Sequence, residues 1–245
     1  MRLLIIAGSG LTTAALLTAC GPAVHLAAPG TATTGQAPGI RAKSLSCDRF
    51  PAAEIQAAVR QTAATAVVRA DGPASDSGRP DSLICGYTLY TPGTDLDSAD
   101  RGLAQLTLAI SDQWAEEPHV GDGKDDQRER AAFDANKASA LKADGQTEND
   151  ATFAVHEVPG IGAGAYLEDT THKADGSTVS QYNDDLSVLH LPGPNKVDVT
   201  VGYALPQADQ PLPDKALDTA MRDAAARARL IQSITSVQLA ELGGA

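Results

Sequence analysis

Alternating apolar and polar residues predict β-strands along much of the chain. The clearest case is residues 197–203, where Val197, Val199, Val201 and Tyr203 alternate with polar or small residues. A period of two residues is typical of a half-buried strand. Other strands are predicted at residues 66–69, 83–91, 106–110, 153–155, 163–168, 179–182 and 186–191.

Turn-forming residues separate these strands. Residues 179–182 and 186–191 are predicted to form a hairpin around Asn183-Asp184-Asp185, because asparagine and aspartate favour turns. Pro159-Gly160-Ile161-Gly162 is predicted to be another turn, with a strand after it.

Three helices are predicted. The first begins near Pro51, which suits a first helical position. Its apolar residues recur at helical spacing: Ile55, Ala58 and Val59. The second covers residues 127–143, which are rich in strong helix formers. The last is capped by Asp214. Its single apolar stripe comprises Leu217, Met221, Ala224, Ala228, Ile231 and Ile234.

Together these elements predict an α+β fold, in which an antiparallel sheet is flanked by about three helices. No βαβ repeat, the pattern of a parallel sheet, is visible in the sequence. The predicted domain spans residues 45–242, a normal length for one domain.

The N-terminal segment has the pattern of an export signal. Arg2 precedes an apolar stretch that is too short and too interrupted by glycine for a permanent membrane helix. It ends in Leu17-Thr18-Ala19-Cys20, which resembles the lipobox of bacterial lipoproteins. The resemblance implies that residues 1–19 are cleaved and that Cys20 carries a thioether-linked lipid and a free or acylated amine, with palmitate as the expected acyl group. The alternative is an ordinary secretory signal with a chance cysteine.

Residues 20–44 are predicted to connect the lipid anchor to the domain. Beyond Cys20 they are rich in alanine, glycine, threonine and proline and have no amphipathic period, so we expect a flexible tether. The predicted location is therefore the extracytoplasmic side of the cell membrane.

The remaining cysteines, Cys47 and Cys85, form an even pair in a chain predicted to be exported. A disulfide is expected in an oxidising compartment. The alternative, a catalytic or metal-binding thiol, has little support because the sequence contains no C-x-x-C and no histidine close to either cysteine.

The net charge of −12 argues against one class of partner. Nucleic-acid phosphates would be repelled, and no basic stripe appears. The same charge argues against a polybasic contact with anionic lipids.

Candidate catalytic motifs are incomplete. Ser139-Ala140-Leu141-Lys142 matches S-x-x-K, but the accompanying S-D-N and K-T-G motifs are missing, so a chance match on a surface helix is favoured. The glycines of residues 160–164 resemble a phosphate loop, yet a strand is predicted after them where a helix would be needed. We assign no catalytic residue and no cofactor.

Candidate metal ligands are equally incomplete. Two acidic clusters lack the glycine and distal glutamate of a calcium loop: Asp95, Asp97 and Asp100, and Asp122, Asp125 and Asp126. The histidines show no zinc-site spacing: His25, His119, His156, His172 and His190. His156 and His190 fall on predicted strands and are the pair that folding could bring together. Trp114 is predicted to be half-buried, with a binding surface as the alternative.

One family resemblance covers most of residues 45–240. An anchored cysteine, a low-complexity tether, Cys47-Asp48 before a short helix and Cys85-Gly86-Tyr87 in a strand are similar to uncharacterised lipoproteins of actinobacteria, which are grouped as domains of unknown function. The resemblance implies no catalytic residues.

Three functions are therefore considered. The incomplete catalytic motifs favour two of them. One is a non-catalytic envelope module that binds a partner protein or an apolar or cell-wall ligand, and the other is a structural or accessory subunit of an envelope complex. The alternative is an extracytoplasmic hydrolase whose site is assembled only in three dimensions. The open face or an edge of the sheet is the predicted contact surface.

Overall fold

The computed structural model describes residues 42–73, 82–94, 96, 102–111, 125–191, 196–206 and 215–243. They form one eight-stranded antiparallel sheet in the order β1-β2-β3-β8-β7-β6-β5-β4, with helices packed on it, so the α+β prediction is confirmed. The strands are β1 (Val67–Pro73), β2 (Ser82–Tyr90), β3 (Ala104–Ser111), β4 (Thr147–Glu148), β5 (Ala151–Glu157), β6 (Gly164–Ala174), β7 (Thr178–Leu189) and β8 (Lys196–Ala204). The helices are α1 (Ala52–Thr62), α2 (Asp125–Ala143), α3 (Lys215–Arg222) and α4 (Ala224–Glu241).

The last strand in the chain, β8, lies at the centre of the sheet, between β3 and β7. Val199 of β8 is opposite Leu108 on one side and Leu186 on the other. All four alternating residues predicted for this strand, from Val197 to Tyr203, are fully buried. Each such side chain contributes about 1.5–3 kcal/mol, so the centre of the sheet is the centre of the core.

Three helices cover the face of the sheet that carries these residues. Helix α4 packs on β7 and β8, α1 packs on β1 and α4, and α3 packs on α4. We call this the helix-covered face. Ile55, Ala58 and Val59 of α1 are buried against it, as their spacing predicts.

Helix α2 packs on the opposite face, which we call the polar face. The ring centres of Phe133 of α2 and Tyr166 are 5.6 Å apart. Tyr166 alternates along β6 with the core residues Ala165 and Leu167, so its side chain lies on the opposite face. The helix predicted over residues 127–143 is therefore present, with a small apolar contact of its own at the β5–β6 end of the sheet.

Side chains from adjacent segments occupy the edges of the sheet. Gln56 accepts a hydrogen bond from the Val68 amide at 2.8 Å and donates one to the Ala66 carbonyl at 2.7 Å. At the other end, Asp144 accepts a hydrogen bond from the Val155 amide at 3.0 Å. Unpaired edge groups invite pairing with another chain, so these contacts protect the positions they occupy.

The hairpin predicted around Asn183-Asp184-Asp185 is wrong. These residues lie in the middle of β7, which is one continuous strand. The turn lies earlier, at Asp175 and Gly176, both with positive φ. Tertiary contacts explain the difference, because the Asp184 carboxylate is bonded to a core arginine and Asp185 accepts a hydrogen bond from Thr200 on the other face.

The prediction of a single last helix is also wrong, because the helix is interrupted at Asp223, between α3 and α4. Asp223 has extended backbone, and its carboxylate accepts hydrogen bonds from the amides of Ala225 and Ala226. A capping aspartate starts a new helix. The break turns Ala224 outward, while most of the predicted stripe remains buried: Leu217, Met221, Ile231 and Ile234. Asp214 lies outside the described residues.

The predicted disulfide is present. Cys47 and Cys85 are bonded, with their Cα atoms 5.6 Å apart. The bond fastens the segment before α1 to β2, and the Tyr87 hydroxyl donates a hydrogen bond to the Phe50 carbonyl at 2.7 Å beside it. Ala42 and Phe50 are buried in the same core.

Candidate functional site

The helix layer carries a groove on its outer side, between the C-terminal end of α1, helices α3 and α4, and the β5–β6 turn. The groove consists of two adjoining depressions of about 600 and 420 Å³, which share Gln61, Thr62 and Arg229. The first is also lined by Lys215, Ala216, Thr219, Ala220, Asp223 and Ala226. The second is also lined by Pro159, Ile161, Gln232, Ser233 and Ser236.

The charge of the groove differs from that of the whole chain. Lys215 and Arg229 are exposed cations, and Asp223 is the one acidic side chain among the lining residues. Its carboxylate already accepts the two amides at the start of α4. Among the described residues, Arg229 makes no ion pair. The groove is thus a positive site on a chain of net charge −12.

A buried ion cluster fixes the helix that forms one wall of the groove. Arg227 of α4 is 1% exposed and bonds Asp184 through Nε and Asp169 through Nη2, each at 2.9 Å. Its guanidinium also lies 4.4 Å from the centre of the Tyr182 ring. Two positions along a helix correspond to about 200° of rotation, so fixing Arg227 to the sheet turns Arg229 outward.

Helix α3, the other wall, is bonded to the sheet by a second polar contact. The Tyr203 hydroxyl donates a hydrogen bond to Asp218 at 2.7 Å, and Asp218 also accepts one from Arg222 at 2.8 Å. These two donors hold the pKa of Asp218 below its ordinary value despite partial burial. An ionised Asp218 thus anchors α3 to β8.

The polar face of β7 and β8 carries a separate cluster. Ser187 donates a hydrogen bond to Asp198 at 2.6 Å, and Lys196 lies 2.9 Å from the same carboxylate. Asp185 lies next to them, and burial raises its pKa to about 7, with repulsion from Asp198 and Glu168 adding to the effect.

Asp184 reaches a similar pKa on the helix-covered face. Burial raises its pKa to about 7, although Arg227 opposes the shift. One guanidinium faces two carboxylates there, so one negative charge is in excess and a proton is held more readily.

Among the described residues, the histidines singled out in the sequence do not come together in a site. His156 is exposed on β5 and His190 is buried just beyond β7. Strand β6 lies between their strands, which places β5 and β7 roughly 10 Å apart. His156 is level with Leu186 of β7, four residues before His190, so the two histidines lie further apart still. His172 is half-buried on β6. His25, His119 and Trp114 lie outside the described residues.

The S-x-x-K match and the glycines of residues 160–164 both lie where a chance resemblance to a motif is expected. Ser139 and Lys142 are both exposed on α2. Residues 159–163 form the β5–β6 turn, and Gly162 has a φ of 55° with the Leu189 carbonyl 2.6 Å from where a Cβ would lie. A strand follows, as predicted, and not the helix that a phosphate loop requires.

No group of three or more metal-ligating side chains occurs in the described part of the chain. Asp95, Asp97, Asp100 and Asp122 lie outside that part, and Asp125 and Asp126 begin α2. Among the helices that the structure describes, none is both long and apolar enough to cross a membrane.

Comparisons with known proteins add no assignment: no family model matches the sequence, and neither the curated proteins nor the solved structures include a similar chain.

The groove was missed in the sequence because its residues come from four separate segments. One signal was available. Arg229, Gln232, Ser233 and Ser236 follow helical spacing on the polar side of the predicted last helix. The buried Arg227 also had a signal, since it precedes Leu230, Ile231 and Ile234 at core spacing.

Proposed function

We propose that this protein is a lipid-anchored extracytoplasmic module, similar to the actinobacterial lipoproteins of unknown function, that binds an envelope component through the groove of the helix layer. The observation that carries the proposal is the groove itself. It is concave, has a net positive lining, and its walls are fixed to the sheet by Arg227 and Asp218. Ligand sites are usually concave and largely pre-formed, and placed polar groups provide their specificity.

Two further features support the location. The Leu17-Thr18-Ala19-Cys20 pattern supports lipidation of Cys20 after cleavage of residues 1–19. The Cys47–Cys85 disulfide supports folding in an oxidising compartment. A tether over residues 20–44 keeps the domain near the membrane, where a weak binder benefits from a high local concentration.

The groove is preferred over the sheet edge as the contact surface. Gln56 and Asp144 already bond backbone amides at the two edges of the sheet. The groove also disfavours an apolar ligand, because most of its lining is amide, hydroxyl or charged.

Anchoring is tested by labelling cells with an alkyne-bearing fatty acid. The full chain is expected to take up the label and fractionate with the membrane. Cys20→Ala should lose the label and remain uncleaved or be released. Retention of the label in Cys20→Ala would contradict the lipid anchor.

Binding through the groove is tested by photocrosslinking in intact cells. A photoreactive residue replaces Ser236, which lines the groove, or Ser139, an equally exposed serine on α2. The proposal predicts a defined envelope adduct from position 236 that is absent from position 139 and is lost with Arg229→Gln. The same adducts from both positions, or none from position 236, would contradict it.

A second candidate, an extracytoplasmic hydrolase, is favoured by the Ser187–Asp198–Lys196 contacts beside Asp185. A carboxyl group with a pKa near 7 can act as an acid or a base. We place it second because Ser187 is 5% exposed, which leaves little access for a substrate. Turnover by the full chain of an ester, peptide or phosphate substrate that is lost in Asp185→Asn or Ser187→Ala would favour this candidate.

A further inference from the structure

We infer that the groove takes an extended peptide segment that carries a carboxylate. This inference rests on the proposed function and specifies the ligand class of the same site.

The charge of the groove selects an anion. Arg229 lies where the two depressions meet, Lys215 lies in the first, and Asp223 is occupied at the start of α4. A guanidinium binds a carboxylate in a bidentate manner. The acidic surface elsewhere repels polyanions, so a segment with one or two carboxylates fits better than a highly charged polymer.

The hydrogen-bonding groups match a peptide backbone. Gln61 and Gln232 each present an amide, which both donates and accepts as a peptide group does. Within the described residues, neither amide makes a hydrogen bond. Hydroxyl groups follow at Thr62, Ser233 and Ser236.

The base of the groove permits close approach of a main chain. Ala220 and Ala226 are both buried and line the first depression, and their small side chains leave room for a backbone. Ile161 and Pro159 provide one apolar contact at the far end, where a single ligand side chain can pack.

The length of the groove sets the size of the segment. Helix α4 lines it from Ala226 to Ser236, a rise of about 15 Å. An extended chain advances about 3.3 Å per residue, so the groove accommodates about five residues.

The test uses fluorescence anisotropy on the purified full chain with two matched pentapeptides, Gly-Ala-Glu-Ala-Gly-amide and its glutamine counterpart, each carrying the same uncharged fluorophore on its amino terminus. Arg229 would form a charged hydrogen bond with the glutamate peptide and a neutral-acceptor bond with the glutamine peptide. Because the charged bond is stronger, the glutamate peptide should bind about tenfold tighter than the glutamine peptide. Arg229→Gln should remove this difference. Arg60→Gln, which changes an exposed arginine outside the lining, should retain it.

Equal affinities of the two peptides, or equal losses in the Arg229 and Arg60 variants, would overturn the inference. Arg229-dependent binding of a galacturonate trimer without binding of either peptide would overturn it in favour of an acidic glycan. If the peptides fail but the adduct from position 236 persists, the ligand class is wrong and the groove stands. If that adduct is also missing, the proposed function fails with it.

Discussion

The adjacent aspartates of β7 lie on opposite faces of one sheet, and each has a pKa raised to about 7. Asp184, fully buried on the helix-covered face, is bonded to Arg227. Asp185, on the polar face, receives a hydrogen bond from Thr200, but Asp198 and Glu168 repel its charge. Both clusters therefore hold more carboxylates than cations, but on the helix-covered face the carboxylates bond Arg227 and fix α4, whereas on the polar face they bond groups of neighbouring strands only.

The largest expected effect comes from removing the cation of the helix-covered face. Arg227→Met leaves Asp184 and Asp169 without their partner, and breaking a buried ion pair in this way costs about 3–5 kcal/mol. Urea unfolding should show a loss of that size. Arg229→Met, two residues away and exposed, should change the free energy of unfolding by less than about 0.5 kcal/mol. Similar losses in both variants would contradict the distinction between a structural and a groove arginine.

The next effect also concerns the helix-covered face. The Cys47–Cys85 bond closes a loop over a sequence separation of 38. Its loss through Cys47→Ala with Cys85→Ala should lower the free energy of unfolding by about 2–4 kcal/mol. Urea unfolding of the double variant measures this. A stability equal to that of the parent protein would show that the bond does not stabilise the attachment of the segment before α1 to β2.

The carboxylates of the polar face should make the free energy of unfolding depend on pH. Since the pKa of Asp185 is higher in the folded chain than its ordinary value of 3.8, the folded state binds more protons between those two values. Stability therefore falls as pH rises from about 4 to 7, by at most about 1.4 kcal/mol per pH unit for each such group.

Asp185→Asn should remove one of these contributions. Urea unfolding between pH 4 and 8 is expected to give a shallower decline and a more stable protein at pH 8. Asp184 contributes to the decline with the same sign, so part of the slope remains. An unchanged slope in Asp185→Asn would contradict the assigned environment of Asp185.

The smallest expected effect concerns the hydrogen bond between Thr200 and Asp185 on the polar face. Thr200→Val removes the hydrogen bond that Asp185 accepts. The loss should be about 1 kcal/mol at pH 8, where Asp185 is ionised, and less at pH 5. A carboxyl-carbon NMR titration should show the pKa of Asp185 rising while that of Asp184 stays where it is. A shift at Asp184 would indicate that the two faces are coupled.

The sequence predicted those elements whose pattern follows directly from one-sided burial. The alternation of Val197, Val199 and Val201 and the spacing of Ile55, Ala58 and Val59 both describe side chains packed on a single core. The cysteine pair was predicted because residue counting left no other partner.

Elements stabilised by distant polar contacts were mispredicted. Asp184 and Asp185 favour a turn locally, but they pair with β6 and β8 on both sides. Their carboxylates bond Arg227 and Thr200, which are remote in sequence, and these contacts together hold a continuous strand. Asp223 starts a second helix within an apolar pattern that otherwise predicts a single helix. The groove could not be predicted because Gln61, Ile161 and Arg229 meet only after the sheet has brought their elements together.

Hydrogen exchange of the full chain, with and without the glutamate pentapeptide, shows directly whether the ligand binds in the groove. We expect added protection around Gln61, in the β5–β6 turn and along α4 near Arg229, with none on β7 and β8. Protection centred on Asp185 and Asp198, without change in the groove, would contradict it and move the binding surface to the polar face.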